Sequence, residues 1–397
     1  MVREAGALFG ARHYRHYDFL LALSAQFDGI GLEHLQSSEN GVGGDYFTEW
    51  DTARSDRDLL AHEFVHSWNG KFRRPADLWT PTYNVPMRNS LLWVYEGMTE
   101  YWGMVLAARS GLWPESYARE AFAHVAGTFG ELRAGRAWRA LGDTTHQPIM
   151  AYHQPLAYPG WQRSTDYYQE GALLWLDVDA RLREASGERR SLDDFAARFA
   201  GGREGDAGPS TYTFDDVVAT LAAVAPGDWS KLLRARIDGH GGGDADPLAG
   251  FARTGWQLVY GSEPNEYVRD LEKLRKSVDH SYSIGLVLGR DDGRVIQSVW
   301  DGPAFRAGVA TGATVIAVDG RQYSADVLKE ALQAAAMPGA REPIELLVKR
   351  GDRYQVLEVD WHGGLRYPHL VRIDGAPDRL GALLRPRTGE PPTAPAR

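Results

Sequence analysis

Ala61-His62-Glu63-Phe64-Val65-His66-Ser67-Trp68-Asn69 is the stretch on which the reading of this chain turns. In a helix, His62 and His66 fall at i and i+4 and project from one face. That face can offer two imidazole nitrogens to one zinc ion, with Glu63 beside it to take a proton from water. The plain alternative is a buried helix with two satisfied histidines. Choosing between the two requires a third ligand, an oxyanion donor and a cleft from the rest of the chain.

Asp51 to Lys71 has helical periodicity: Leu59, Leu60, Phe64 and Val65 point inward, and Asp56 and Asp58 suit the first turn. Gly70 and then Pro75 stop it. Arg73 and Arg74 read as solvated surface. A second helix opens at Leu91 and runs to about Arg109, apolar nearly all round and therefore buried. Glu96 and Glu100, one turn apart on it, are costly unless bridged to Arg or Lys or used at a metal. In the metal reading Glu96 is the third ligand of a site with an open fourth position, and Glu100 accepts the free N–H of a ligand histidine.

Upstream, residues 13–26 read as an aromatic-rich strand, followed by a turn at Asp28-Gly29 and a short extended piece. Glu33 on that piece is either a turn residue or a carboxylate shown to a substrate from a cleft-edge strand. Downstream, Ser116 to Leu141 is helical scaffold with Arg-rich faces. Thr144 to Trp161 is a loop whose His146 and His153 line a cleft or serve surface and packing roles. Another helix starts near Thr165, with Gly171 allowing close packing. Tyr167 and Tyr168 at its start are core anchors, or one donates its phenol O–H to a developing oxyanion. Ser191 and Thr213 read as helix caps. Gly239 to Asp246 is a glycine-dense loop whose His and Asp read as turn residues before metal ligands. From about Tyr282 the pattern changes to short strands at 284–288, 295–299, 314–318 and 344–348, with a helix over 324–335 between the last two. Residues 381–397, rich in Pro, Arg and Thr, read as a disordered tail.

Composition narrows the options. A 397-residue chain suggests two or three domains, and shares of 43% apolar and 24% charged residues are those of a globular protein. A net charge of −9 with no basic stripe argues against nucleic acid as partner. With no Cys, any metal must be held by His and carboxylate. No apolar run is long enough to span a membrane, and Met1 to Gly6 lacks a signal-peptide core, which leaves cytoplasm and periplasm open. The chain enters folded-looking sequence almost at once, which is compatible with an upstream portion.

These residues resemble the glycyl aminopeptidase family of zinc peptidases, within the thermolysin-like gluzincins. The resemblance rests on His62 to Asn69 continuing to Arg74-Pro75, on Leu92 to Tyr101 around Glu96, on Gly31-Leu32-Glu33-His34 and on Tyr168-Gln169-Glu170-Gly171. The C-terminal part resembles a PDZ domain through Ile284-Gly285-Leu286, Gly302 to Val309 and Gly312 to Gly320. The β-rich domain that precedes the catalytic domain in that family has no counterpart in this sequence, which bears on stability and on the roof of the cleft. The resemblance implies an α+β chain: a mainly helical thermolysin-like catalytic domain over 1–270, then a small β-rich PDZ-like domain over 282–365. It implies one Zn2+ held by His62, His66 and Glu96, with Glu63 as base, Tyr168 as oxyanion donor, Glu100 behind a ligand and Glu33 on the substrate's amine. It also implies peptide substrates with Gly or Ala at the N-terminus, and a PDZ-like groove that takes a peptide strand or C-terminus by strand addition. Two rivals stay open: an endopeptidase on the same zinc chemistry, and a non-catalytic scaffold that binds peptides through the PDZ-like part.

Overall fold

The computed structural model describes residues 1–27, 29–146 and 156–389. Helix α1 (Val2–Phe9) stops at Gly10, whose left-handed backbone (φ 76°) suits glycine. Strands β1 (Asp18–Leu23), β2 (Ile30–Glu33) and β3 (Ser37–Val42) follow. β3 is central, parallel to β1 and antiparallel to β2, so β2 is an edge strand of this sheet. The strand expected over 13–26 is confined to β1. Ahead of it, Tyr14 and Tyr17 turn their rings onto Phe64, and His13 bonds the Ala200 carbonyl (2.9 Å).

Helix α2 (Leu59–Val65) is much shorter than the predicted 51–71. Before it, Arg57 reaches the carbonyls of Trp50, seven residues back, and Leu112, and residues 51–58 form turns and a short 3-10 helix, Arg54–Asp56. After it, Gly70 adopts φ 134°, and the Asn69 side chain bonds the carbonyls of Val94 (2.9 Å) and Tyr95 (3.1 Å) instead of extending the helix. The second predicted helix is two: α3 (Leu92–Tyr95) and α4 (Gly97–Arg109), meeting at Glu96. Every α4 residue except Glu100 is buried, as the all-round apolar pattern requires.

Helix α5 (Glu115–Glu131) and the single turns α6 (Leu141–Thr144) and α7 (Pro159–Gln162) lead to α8 (Gln169–Ser186). A Cβ on Gly97 would sit 2.9 Å from the Gly171 Cα, and one on Gly171 would sit 2.8 Å from the Gly97 Cα. The two glycines therefore let α4 and α8 cross backbone to backbone, which fixes the start of α8 beside Glu96. Both expected caps form capping boxes, Ser191 with Asp194 on α9 (Leu192–Ala196) and Thr213 with Asp216 on α10 (Phe214–Val224). Helix α11 (Trp229–Asp238) follows, and β4 (Arg73–Pro75) pairs with β5 (Ser210–Tyr212). Trp68, Trp93, Trp102, Trp113 and Trp175 are fully buried in the resulting core. Each hides on the order of 200 Å² of ring surface, roughly 5 kcal/mol of transfer free energy.

Strand β6 (Trp256–Gly261) and helix α12 (Glu266–Leu274) lead into a second core of its own aliphatic residues, from Val268 to Tyr367. Its elements are β7 (Ser277–His280), β8 (Leu286–Gly289), β9 (Val295–Ser298), α13 (Pro303–Arg306), β10 (Thr314–Val318), β11 (Arg321–Gln322), α14 (Ala325–Ala335), β12 (Ile344–Arg350) and β13 (Arg353–Val359). β14 (Tyr367–Arg372) returns to pair with β6. The four strands and the helix read from the sequence are present, whereas β7, β11 and β13 were not foreseen. β7 matters most: it pairs antiparallel with β8, whose other edge holds β9. The strand after Ile284-Gly285 thus has no free edge for an added peptide. A further correction concerns the tail. Residues 381–384 belong to α15 (Arg379–Leu384), whose leucines are buried in the first core, and the backbone N–H groups of Arg387 and Thr388 bond Glu4. Residues 390–397 lie outside the described residues, as does His153. Among the described residues no helix is long and apolar enough to cross a membrane.

Candidate active site

At the end of α2 the two imidazoles turn their Nε2 atoms toward one another at 3.2 Å. Glu96 Oε2 lies 3.5 Å from His62 Nε2 and 3.2 Å from His66 Nε2. One ligand atom from each of the three residues falls within 4.8 Å of the others, and no second such group occurs among the described residues. The opposite ring nitrogens identify the tautomers. His66 Nδ1 is 2.9 Å from the Asn69 carbonyl, which only accepts, so that nitrogen carries the hydrogen. His62 Nδ1 faces Glu100 Oε2 at 3.3 Å, another acceptor. Both Nε2 atoms thus point at a carboxylate oxygen that is buried and has no well-directed hydrogen bond. Burial opposes the charge on Glu96, but His66 and His62 outweigh it and hold its carboxyl at about 2. Two imidazole nitrogens and a carboxylate oxygen that converge in this way suit a cation, and the two-nitrogen, one-oxygen set suits zinc.

Glu63 stands beside this cluster, 5% exposed, with Oε2 lacking any partner. Burial pushes its carboxyl above the ordinary glutamate range, against the pull of His62 and His66. Edge strand β2 presses on it: a Cβ on Gly31 would lie 2.0 Å from Glu63 Oε1, so any larger residue there would displace the Glu63 side chain. A cavity of about 770 Å³ opens in front, walled by Gly31, His62, Glu63, Glu100 and Tyr168 among others. Tyr168 directly precedes α8, its ring centroid 6.1 Å from that of His62.

Glu33 is brought to the same cluster from another side and does not line that cavity. Its Oε1 accepts from the Tyr95 hydroxyl and lies 3.1 Å from Lys71 Nζ. Burial opposes its ionisation, yet His66 and Lys71 hold its carboxyl below the usual range. Sequence reasoning missed Asn69, Lys71 and Tyr95. Asn-Gly at 69–70 signalled the end of a helix, but nothing local signalled which carbonyl would orient His66. Arg73 is no solvated surface residue: it donates to the Thr211 carbonyl (2.6 Å) and ties β4 to β5. His146 lines a different cavity, with Asp143 and His240.

Residues 55–174 match the M61 glycyl aminopeptidase family. That segment contains His62, Glu63, His66, Glu96, Glu100 and Tyr168 and excludes Glu33. An aminopeptidase N family protein from Idiomarina loihiensis superposes with a TM-score of 0.73 at 20% identity, over 97% of this chain and 65% of its own length. An M1 zinc metallopeptidase from Deinococcus radiodurans, bound to a Tyr-Ser-Ala substrate, is more distant: TM-score 0.38, 15% identity, 61% of this chain and 44% of that one. No curated protein matches the chain. The family match over residues 55–174 supports a peptidase, and the superposition shows a shared fold.

Proposed function

We propose that this chain is a zinc-dependent aminopeptidase that removes small N-terminal residues such as Gly or Ala from peptides. The observation that carries the reading is the convergence of His62 Nε2, His66 Nε2 and Glu96 Oε2 beside an unpartnered, buried Glu63 oxygen at a cavity wall. Zinc bound by those three residues supplies a Lewis acid and lowers the pKa of water toward neutrality. Glu63 takes the proton of the attacking water and passes it to the leaving amine. Tyr168 donates to the oxyanion that forms on the carbonyl. Glu100 keeps His62 in the tautomer that leaves Nε2 free, and the Asn69 carbonyl does the same for His66. Tyr168→Phe is expected to lower kcat about a hundredfold with little change in KM, read by steady-state kinetics on alanine amide.

Glu33 anchors the substrate's ammonium. Lys71 already balances the Glu33 charge, so a substrate amine must share Oε1 or use Oε2. That same pairing is what favours the second reading, an endopeptidase with no need for a free amine. A panel of glycine and alanine amides with their N-acetylated forms separates the two. The aminopeptidase reading expects hydrolysis of free amines alone, and equal cleavage of blocked peptides would sink it. Glu33→Ala should cost about ten- to a hundredfold in kcat/KM on free amines, the loss of one charged hydrogen-bonding partner. A scaffold role for the β-rich, PDZ-like unit would need β7 to leave β8 before a peptide strand could add there.

A further inference from the structure

The cavity at Glu63 does not end blindly. A second cavity of about 460 Å³ lies between α12, β8 and β9, and both are walled by Arg133 and Gln169. Those two residues stand at the junction.

Arg133 is the most loosely paired of three neighbouring arginines. Glu170 takes Arg136 and Arg163, and Asp166 takes Arg163 Nε at 2.6 Å. Arg133 Nε is only 3.4 Å from the other Asp166 oxygen and makes no hydrogen bond there. Three guanidinium groups thus meet two carboxylates. Arg163 and Arg136 are buried behind the wall, so Arg133 is the one of the three that faces the cavity. The Gln169 side chain likewise makes no hydrogen bond to another described residue. The other walls are acidic: Asp56, Asp58, Glu63 and Glu100 line the first cavity, and Glu272 and Asp279 face Arg275 in the second.

We propose that Arg133, assisted by Gln169, binds the C-terminal carboxylate of a short peptide whose scissile bond lies at Glu63. The inference rests on the peptidase reading and deepens it by naming a substrate class. With Glu33 outside the cavity, the amine end of a substrate lies on one side of the zinc ligands and the leaving segment enters the cavity. A short leaving segment ends in a carboxylate, which the acidic walls repel and a planar guanidinium receives through two parallel hydrogen bonds. A cavity of about 770 Å³ is in the size range of small ligands, which suits peptides of a few residues better than long chains.

The test compares kcat/KM of the zinc-loaded enzyme on trialanine and on trialanine amide. The free acid should be preferred about ten- to a hundredfold, mainly through KM, as expected for a charge-assisted hydrogen-bonded contact. Arg133→Gln should bring that ratio close to one, and Arg133→Lys should retain part of it. A wild-type ratio at or below one overturns the inference while leaving the peptidase reading intact. A preserved ratio in Arg133→Gln also overturns it. Cleavage of neither peptide by zinc-loaded protein removes the reading on which it rests. Should Arg133→Gln fail to fold, the wild-type ratio and the Arg133→Lys protein still decide.

Discussion

Glu63→Gln protein is expected to bind one zinc ion per chain and to hydrolyse glycine and alanine amides about a hundred- to ten-thousandfold more slowly than wild type. Glutamine keeps the shape that β2 presses on at Gly31, where a Cβ would lie 2.0 Å from the Glu63 side chain. It cannot accept the water's proton as a base. The ligand atoms of His62, His66 and Glu96 are untouched, so metal content measured by elemental analysis should not change. Burial already disfavours ionised Glu63. Its raised pKa means that its contribution to stability is present at low pH and lost as pH rises through the folded value. Removing the carboxylate should therefore leave the chelated variant melting no lower than chelated wild type at neutral pH. Activity surviving at near wild-type level would remove Glu63 as the base.

What was legible in the sequence was whatever depends on short spacing. His62 and His66 share a face because they are four apart, and Glu96 and Glu100 stand out as carboxylates on an apolar helix. What stayed hidden depends on residues far apart in the chain. Glu33 meets Tyr95 and Lys71 only because β2 folds over the end of α2, and no local pattern encodes that. Arg133 looked like one more arginine on a scaffold. Its loose pairing emerges only after Arg163 and Arg136 are assigned to Asp166 and Glu170. The length of α2 was overestimated for the same reason. Residues 51–58 have helical periodicity, but a bond from Arg57 to the distant Leu112 carbonyl competes with it. β7 escaped notice because Ser277-Val278-Asp279-His280 has little strand character until β8 pairs with it.

Glu96→Ala is expected to lower zinc content from one per chain to a small fraction, with activity falling in proportion. Glu96 is the one anionic ligand of the three, and its removal leaves two neutral imidazoles facing a doubly charged ion. The fold should survive, since Glu96 sits at the joint of α3 and α4, which the contact of Gly97 with Gly171 holds independently of the carboxylate. Circular dichroism checks this. The thermal readout is sharper than the metal count alone. A ligand that binds only the native state raises stability by RT ln(1 + [L]/Kd), so wild-type protein should lose several degrees of Tm on chelation. In Glu96→Ala that difference should vanish. Glu100→Gln, which disturbs only the hydrogen bond to His62 Nδ1, should fall between, with affinity reduced about ten- to a hundredfold. The three proteins thus order as wild type, Glu100→Gln, Glu96→Ala in both metal content and chelation-dependent Tm. Glu63→Gln groups with wild type on those two measures and with Glu96→Ala on activity, which separates holding the metal from using it. Stoichiometric zinc in folded Glu96→Ala would mean that some other residue is the third ligand.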